Sequence, residues 1–262
     1  MPAANETLQP DERAHPPQPA VSRALQWANY LFFLPAVCVA TISFGTISLL
    51  AGMWDKSGRQ QHAIARTWAR MLLRVAFSPV KLEHAERLHT NEPAVYASNH
   101  LSYYDTPVLF AKLPFQFRIL AKAPLWKIPF IGWYLNRSGQ VPIDQSSARA
   151  GVASLGRGVK TLHAGLPLVI FPEGGRAATG ELQTMAAGAA WIAIKAQVPL
   201  VPLTLVGTYE LLPIHVYALK PRPLKLIVGE PIETVGMTTR EAEALTARLH
   251  QVIFETYVAE NR

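Results

Sequence analysis

Cysteine is almost absent: Cys38 is the single thiol in 262 residues, and it sits inside an apolar run. That excludes a disulfide framework, a thiolate metal site and a cysteine nucleophile, and it fits a reducing compartment for the rest of the chain. Acidic residues are also few. Against 25 Lys and Arg stand 18 Asp and Glu, a net charge of +7, which suits a polyanion or an anionic membrane surface. Nucleic acid is not the expected partner, because the basic residues are scattered and none of the compact nucleic-acid modules is present. There is no internal repeat. Formal charge disappears altogether between Ala24 and Trp54, while half of all residues are hydrophobic.

What is present begins with a tail. Residues 1–22 carry Pro2, Pro10, Pro16, Pro17 and Pro19 among polar residues, a composition expected to stay disordered because it cannot offset its ordering entropy. The uncharged run at 24–54 exceeds the roughly 20 residues that cross a bilayer, so it is expected to be a membrane helix. A core helix would be shorter and amphipathic, and a signal peptide would be shorter and nearer Met1. Over 59–77 a helical wheel puts Ile64, Trp68, Met71 and Val75 on one side and Arg66, Arg70 and Arg74 on the other. This basic amphipathic helix is expected to lie among lipid headgroups, the alternative being a surface helix packed on the domain. Residues 23–77 thus form an expected membrane-associated segment. Lys56, Arg59, Arg66, Arg70 and Arg74 follow the apolar run, which predicts that the domain at 78–262 faces the cytoplasm.

From Val80 onward short apolar runs alternate with helical patterns. Strands are predicted at 80–82, 94–98, 117–121, 140–143, 167–171, 200–206 and 224–228, and helices at 106–113, 125–136, 147–164, 185–196 and 240–259. Thr238 and Glu241 supply a capping box for the last helix. The alternation predicts an α/β domain on a mixed, largely parallel sheet flanked by helices, with ligands beyond the carboxyl ends of the strands.

One such end carries Asn99-His100-Leu101-Ser102-Tyr103-Tyr104-Asp105. A neutral imidazole can take a proton from a hydroxyl near pH 7, and a carboxylate on its other nitrogen fixes the tautomer and strengthens the base. Residues five apart on one helix point about 140° away from each other, so the pair meets only if His100 precedes a helix that starts near Asp105. Pro107 supports that start. The plainer alternative is a capping box in which Asp105 returns a hydrogen bond to the Ser102 backbone.

A second strand end leads into Phe171-Pro172-Glu173-Gly174-Gly175-Arg176. Two glycines allow a sharp turn and close approach to a ligand, Arg176 offers donors matched to phosphate or carboxylate, and Glu173 can orient a hydroxyl or hold a neighbouring base. Alone, this would be a glycine turn with a surface ion pair. The aromatic and proline-rich stretch from Lys122 to Trp133 is either a helix packed on the sheet or a groove wall for an acyl chain. Val198 to Pro202 reads as a buried strand.

In combination and order these blocks resemble the 1-acyl-glycerol-3-phosphate acyltransferase family of lysophospholipid acyltransferases. The match rests on Asn99-His100 with Asp105, on Gly139 to Asp144, on Phe171 to Gly174 with Arg176, and on Val198 to Pro202; with weaker matches at Lys122 to Trp133 and Gly229 to Ile232 it covers about residues 60–235. The resemblance implies His100 as general base with Asp105 as its partner. It implies that the turn from Phe171 to Arg176 binds the glycerol phosphate acceptor, with Glu173, Gly174, Gly175, Arg176, Lys122 and Asn99 as substrate-binding residues, and that Val198 to Pro202 helps form the acyl site. It further implies a membrane enzyme with acyl-CoA or acyl-carrier protein as co-substrate, no cofactor or metal, and a lysophospholipid acceptor. Three positions depart from the family: Gly175 replaces threonine, Ala177 serine, and Gln145 arginine. A lysolipid other than lysophosphatidic acid, such as a lyso-aminolipid or another lysophospholipid, is therefore the second expectation; an inactive lipid-binding relative fits the intact His100, Asp105, Glu173 and Arg176 less well, and a hydrolase, which needs a water-accessible site, fits the flanking aromatic and apolar stretches less well.

Overall fold

The structure, a computed structural model, describes residues 22–261 except 215 and 217. The expected disordered tail lies almost wholly outside the described residues. Helix α1 (Arg23–Ala51) is followed by α2 (Arg59–Val75), and seven strands then alternate with helices. The strands are β1 (Val80–Glu83), β2 (Val95–Ser98), β3 (Arg118–Lys122), β4 (Val141–Ile143), β5 (Leu168–Ile170), β6 (Leu200–Val206) and β7 (Leu224–Val228). The helices are α3 (Asp105–Lys112), α4 (Ile131–Arg137), α5 (Ala148–His163), α6 (Gly188–Ala196), α7 (Thr208–Leu211) and α8 (Ala242–Glu260).

All seven strands join one sheet in the order β1-β7-β6-β2-β5-β3-β4. Every neighbouring pair is parallel except β6 with β7, so β1 and β7 run against the other five. Strand β2 lies near the centre, and each of its residues is buried. Such strands need helices on both faces. Tyr96 points into a core shared with α2 and α3, whereas Val95 and Ala97 point into a core shared with α5, α6 and α8. The chain leaves β2 towards β3 on one side and leaves β5 towards β6 on the other. Adjacent strands whose connections part in this way leave a crevice at their carboxyl ends.

The predicted helix at 125–136 does not form as one piece. A turn of 3₁₀ helix at Ala123–Lys127 is followed by α4, with Pro129 between them. Gly132 explains the tight junction: a Cβ there would lie 2.1 Å from the Trp126 carbonyl oxygen.

Helix α1 is long and apolar enough to cross a membrane and presents Trp27, Phe32, Val39 and Ile42 outward, as suits membrane association. It is also tied to the domain. Asn29, buried in this apolar helix, accepts from the Leu219 N–H at 2.7 Å and donates to the Leu219 carbonyl at 3.3 Å. The Trp68 indole donates to Thr41 at 3.2 Å, joining α2 to α1. The buried stripe of α2 is Ala65, Ala69, Leu72 and Leu73, which share a core with Val108 and Leu109 of α3. The Ile64, Trp68, Met71 and Val75 side expected to face lipid is only half-buried, and Trp68 and Met71 pack against that same core. Helix α2 is thus packed on the domain along one side, as the alternative to the headgroup reading expected, and on α1 along another.

Candidate active site

Strand β2 delivers His100 to the crevice, and four neighbours fix it there. The Asp105 carboxylate Oδ2 lies 2.8 Å from Nδ1 of the ring. The Phe171 ring, from the end of β5, stacks on the imidazole with centroids 3.9 Å apart and planes at 17°. The His100 backbone N–H donates to Glu173 Oε1 at 2.9 Å, and its carbonyl accepts from the Ala177 N–H at 3.1 Å. The turn after β5 therefore clamps the residue by ring, donor and acceptor together.

Asp105 opens α3, where the aligned peptide dipoles favour a carboxylate. It is fully buried, and Oδ2 also accepts from the Leu101 N–H at 2.6 Å and the Ser102 N–H at 2.8 Å. The same oxygen thus makes both the return bond to the Ser102 backbone and the contact to the imidazole. A carboxylate already accepting two amide protons is an acceptor towards the ring as well, so Nδ1 carries the proton and Nε2 keeps its lone pair. Only 13% of the His100 side chain is exposed, which leaves Nε2 as the nitrogen for an incoming group.

Glu173 spans two segments, with Oε2 accepting from the Gln183 N–H at 3.1 Å. Burial, and secondarily the nearby Asp105 charge, pushes its carboxyl up to about 7, against the hydrogen bonds that favour the ionised form. Of the two roles expected for Glu173, holding the base is the one its bonds describe. Asn99 requires a correction. Its amide is fully buried and donates to the Leu205 carbonyl at 2.9 Å while accepting from the Leu205 N–H at 2.8 Å. Both functional ends are used to pin β2 to β6, so Asn99 is a brace and does not reach a substrate.

The cations behave differently. Arg176 is exposed, with its guanidinium carbon 4.3 Å from the centre of the Tyr103 ring. Lys122, at the end of β3, brings Nζ to 3.8 Å from where a Cβ on Gly175 would lie. Neither forms an ion pair among the described residues. Two free cations therefore flank the Gly174-Gly175 turn, in which Gly174 has φ +69° and an N–H bonded to the Phe171 carbonyl at 3.1 Å. Ala177 is buried among Leu101, Val206, Ile227 and Tyr257. The hydroxyl missing there would have pointed into an apolar cluster, so that departure does not remove a phosphate donor. The Val198 to Pro202 block is the buried strand its residues suggested: Pro199 to Pro202 are buried at the start of β6, the end away from His100, and support β2 through strand pairing.

Phe171, Tyr103 and the Ala177 N–H escaped the sequence reading. Each lies inside or beside a singled-out block, but nothing in linear order says that it touches His100 or Arg176.

A family model described as Acyltransferase matches residues 79–206. A chloroplast 1-acyl-sn-glycerol-3-phosphate acyltransferase of Arabidopsis thaliana is 32% identical over 204 residues, covering 75% of this chain and 56% of that protein. One from Chlamydomonas reinhardtii is 33% identical over 203 residues, covering 75% and 60%. The chain thus spans somewhat over half the length of these curated relatives. The crystal structure of the 1-acyl-sn-glycerophosphate acyltransferase of Thermotoga maritima superposes with a TM-score of 0.74 at 24% identity, over 88% of this chain and 95% of that one, which is a likeness of fold. With the family match running from the start of β1 to the end of β6, and so through both the His100 loop and the Arg176 turn, the chain belongs to the acyltransferase family that includes these 1-acyl-sn-glycerol-3-phosphate acyltransferases.

Proposed function

We propose that the chain transfers a fatty acyl group from the thioester of acyl-CoA or acyl-carrier protein to the free hydroxyl of 1-acyl-glycerol-3-phosphate, giving phosphatidic acid. The observation that carries this reading is the 2.8 Å contact between Asp105 Oδ2 and His100 Nδ1, next to a glycine turn flanked by Arg176 and Lys122. His100 Nε2 takes the hydroxyl proton while the oxygen attacks the thioester carbonyl. The tetrahedral oxyanion collapses, the carbon–sulfur bond breaks, and the departing thiolate takes the proton back from the imidazolium. Asp105 holds the ring and stabilises its cationic form without itself being protonated. No enzyme nucleophile takes part, because the thiol is already a good leaving group. Arg176 and Lys122 receive the acceptor phosphate in charge-assisted hydrogen bonds.

A related reading, transfer to another lysolipid, is favoured by one observation: Gly175 and Gln145 offer neither the hydroxyl nor the cation usual for the family. For localisation, we propose that α1 holds the protein at a membrane, within a membrane-associated segment at 23–77 whose second helix also belongs to the core of the domain at 78–262. The cations that follow α1 support a domain that faces the cytoplasm, and the membrane we propose is a bacterial inner membrane. The test is purified protein in vesicles, given acyl-CoA or acyl-carrier protein and a panel of lysolipids. Formation of diacyl product from lysophosphatidic acid, lost in His100→Ala, supports the main reading. Turnover only with a lysolipid lacking a phosphomonoester supports the related one.

A further inference from the structure

We propose that a groove between the carboxyl ends of α2 and α3 is a second, non-catalytic site that holds the phosphate of an anionic phospholipid. The groove has a volume of about 520 Å³. Arg70, Arg74 and Lys112 surround it, over a floor that includes Leu73, Phe77 and Ala111. No carboxylate lines it, and none of the three cations forms an ion pair or hydrogen bond among the described residues. Arg70 and Arg74 are one helical turn apart and so lie on the same side of α2. Arg74 and Lys112 each sit in the last turn of their helix, where a cation offsets the helix dipole. That accounts for one positive charge per helix end. It does not account for three in one depression without an anion between them.

Phe77 is the second observation. It follows the last turn of α2, where the Ser78 N–H reaches the Leu73 carbonyl, and it has φ +49°. That position ordinarily belongs to glycine, because a Cβ in the left-handed region is strained. The residue is nevertheless 71% exposed, and its ring meets Phe33 of α1 edge to face, with centroids 6.3 Å apart. A strained backbone is thus maintained with a large apolar side chain at the boundary between the cationic groove and the lipid-facing helix. Strain of this kind concentrates at functional positions. The arrangement fits one molecule with an anionic head among Arg70, Arg74 and Lys112 and a hydrocarbon chain passing over Phe77 to α1.

The groove is distinct from the catalytic crevice. Asp105 and Lys112 are the first and last residues of α3, about 10 Å apart along its axis. The site does not depend on which acceptor the enzyme uses.

The experiment uses the full chain in uncharged detergent micelles and counts bound lipids by native mass spectrometry. Phosphatidylglycerol, phosphatidylcholine with the same chains, and inorganic phosphate are titrated separately and in competition. One saturable phosphatidylglycerol is expected, with phosphatidylcholine at least tenfold weaker and inorganic phosphate unable to displace it at equal concentration. Replacing Arg70, Arg74 and Lys112 by Gln should weaken phosphatidylglycerol by roughly ten- to a hundredfold. Phe77→Gly, which relieves the backbone, should weaken it several-fold by removing the chain contact. A control with Arg149, Lys195 and Arg240 replaced by Gln loses the same charge elsewhere and should bind like the wild type. If the triple variant does not fold, the single Lys112→Gln change, expected to weaken binding about three- to tenfold, carries the comparison. Equal losses in groove and control variants, displacement by inorganic phosphate alone, or a groove-dependent loss of acyl-carrier protein binding with lipid binding intact would each overturn the proposal.

Discussion

Glu173 accepts the backbone N–H of His100 at 2.9 Å, so the residue proposed as the base is held by a carboxyl that itself titrates near neutrality. The sign of the resulting pH dependence follows from burial. Folding raises this carboxyl from an ordinary 4.5 to about 7, so between those values the folded chain holds a proton that the unfolded chain has released. Stability should therefore fall as pH rises through that window, by about 3 kcal/mol at most. Glu173→Gln removes the titration while keeping one acceptor for His100. Thermal melts at pH 5, 6, 7 and 8 in one detergent should show the variant gaining on the wild type as pH rises; parallel curves would count against a buried, titrating Glu173.

His100 and Asp105 should separate activity from stability. His100→Ala removes a side chain whose polar contact is the bond to Asp105, and loss of a general base costs roughly 10²- to 10⁴-fold in kcat. Its melting temperature should change little. Asp105→Ala should cost similar activity and also destabilise the fold by about 2–4 kcal/mol, because the Leu101 and Ser102 N–H groups lose their acceptor at the start of α3. Steady-state rates beside denaturant unfolding check both. A His100→Ala enzyme within tenfold of wild-type kcat would end the mechanism.

These contrasts also show what linear order could and could not convey. Strands β6 and β7 lie at their predicted residues because proline- or glycine-containing loops flank apolar runs. The His100 loop was legible because strand, base, cap and helix start all fall within a few residues. Glu173 was legible as a group able to hold a neighbouring base, but its action through the backbone from 73 residues away was not, and the Phe171 ring and the Ala177 N–H were not foreseen. Helix α2 shows a subtler failure. Its bulky residues marked one side, but the stripe buried against the domain pairs Leu72 and Leu73 with Ala65 and Ala69, because small side chains let helices approach closely, which a hydropathy wheel does not weigh. Asn99 was misassigned for the opposite reason. A polar residue beside a candidate base invites a binding role, whereas here both ends of its amide are satisfied by Leu205.

The glycine turn makes two opposed demands. At Gly174 a Cβ would meet nothing within 4 Å, yet φ is +69°, so Gly174→Ala should destabilise by about 1 kcal/mol through backbone strain alone. Gly175 has ordinary φ and room, its built Cβ meeting only Lys122 Nζ at 3.8 Å. Gly175→Thr should therefore be tolerated and lower the acceptor KM by adding a hydroxyl beside Lys122. Melting temperatures for both variants, with acceptor KM for the second, test the pair. A Gly175→Thr protein that unfolds like Gly174→Ala would show that the turn cannot take the side chain usual for the family.

Arg176 over the Tyr103 ring sets the last expectation. The cation is exposed and has no ion-pair partner among the described residues, so the aromatic face at 4.3 Å is the contact that orients it. If the acceptor is lysophosphatidic acid, Arg176→Ala should raise its KM by roughly ten- to a hundredfold, the worth of a charged hydrogen bond of about 1.5–3 kcal/mol. Tyr103→Phe keeps the ring face and should change KM little. Tyr103→Leu removes it and should raise KM about two- to fivefold, matching a loss of about 0.5–1 kcal/mol, with kcat preserved. Gln145→Arg, which restores the family's cation, should recover part of the Arg176→Ala loss. An unchanged acceptor KM in Arg176→Ala, together with preference for a lysolipid that lacks a phosphomonoester, would show instead that Gly175 and Gln145 mark a different acceptor and that Arg176 serves the turn and not the phosphate.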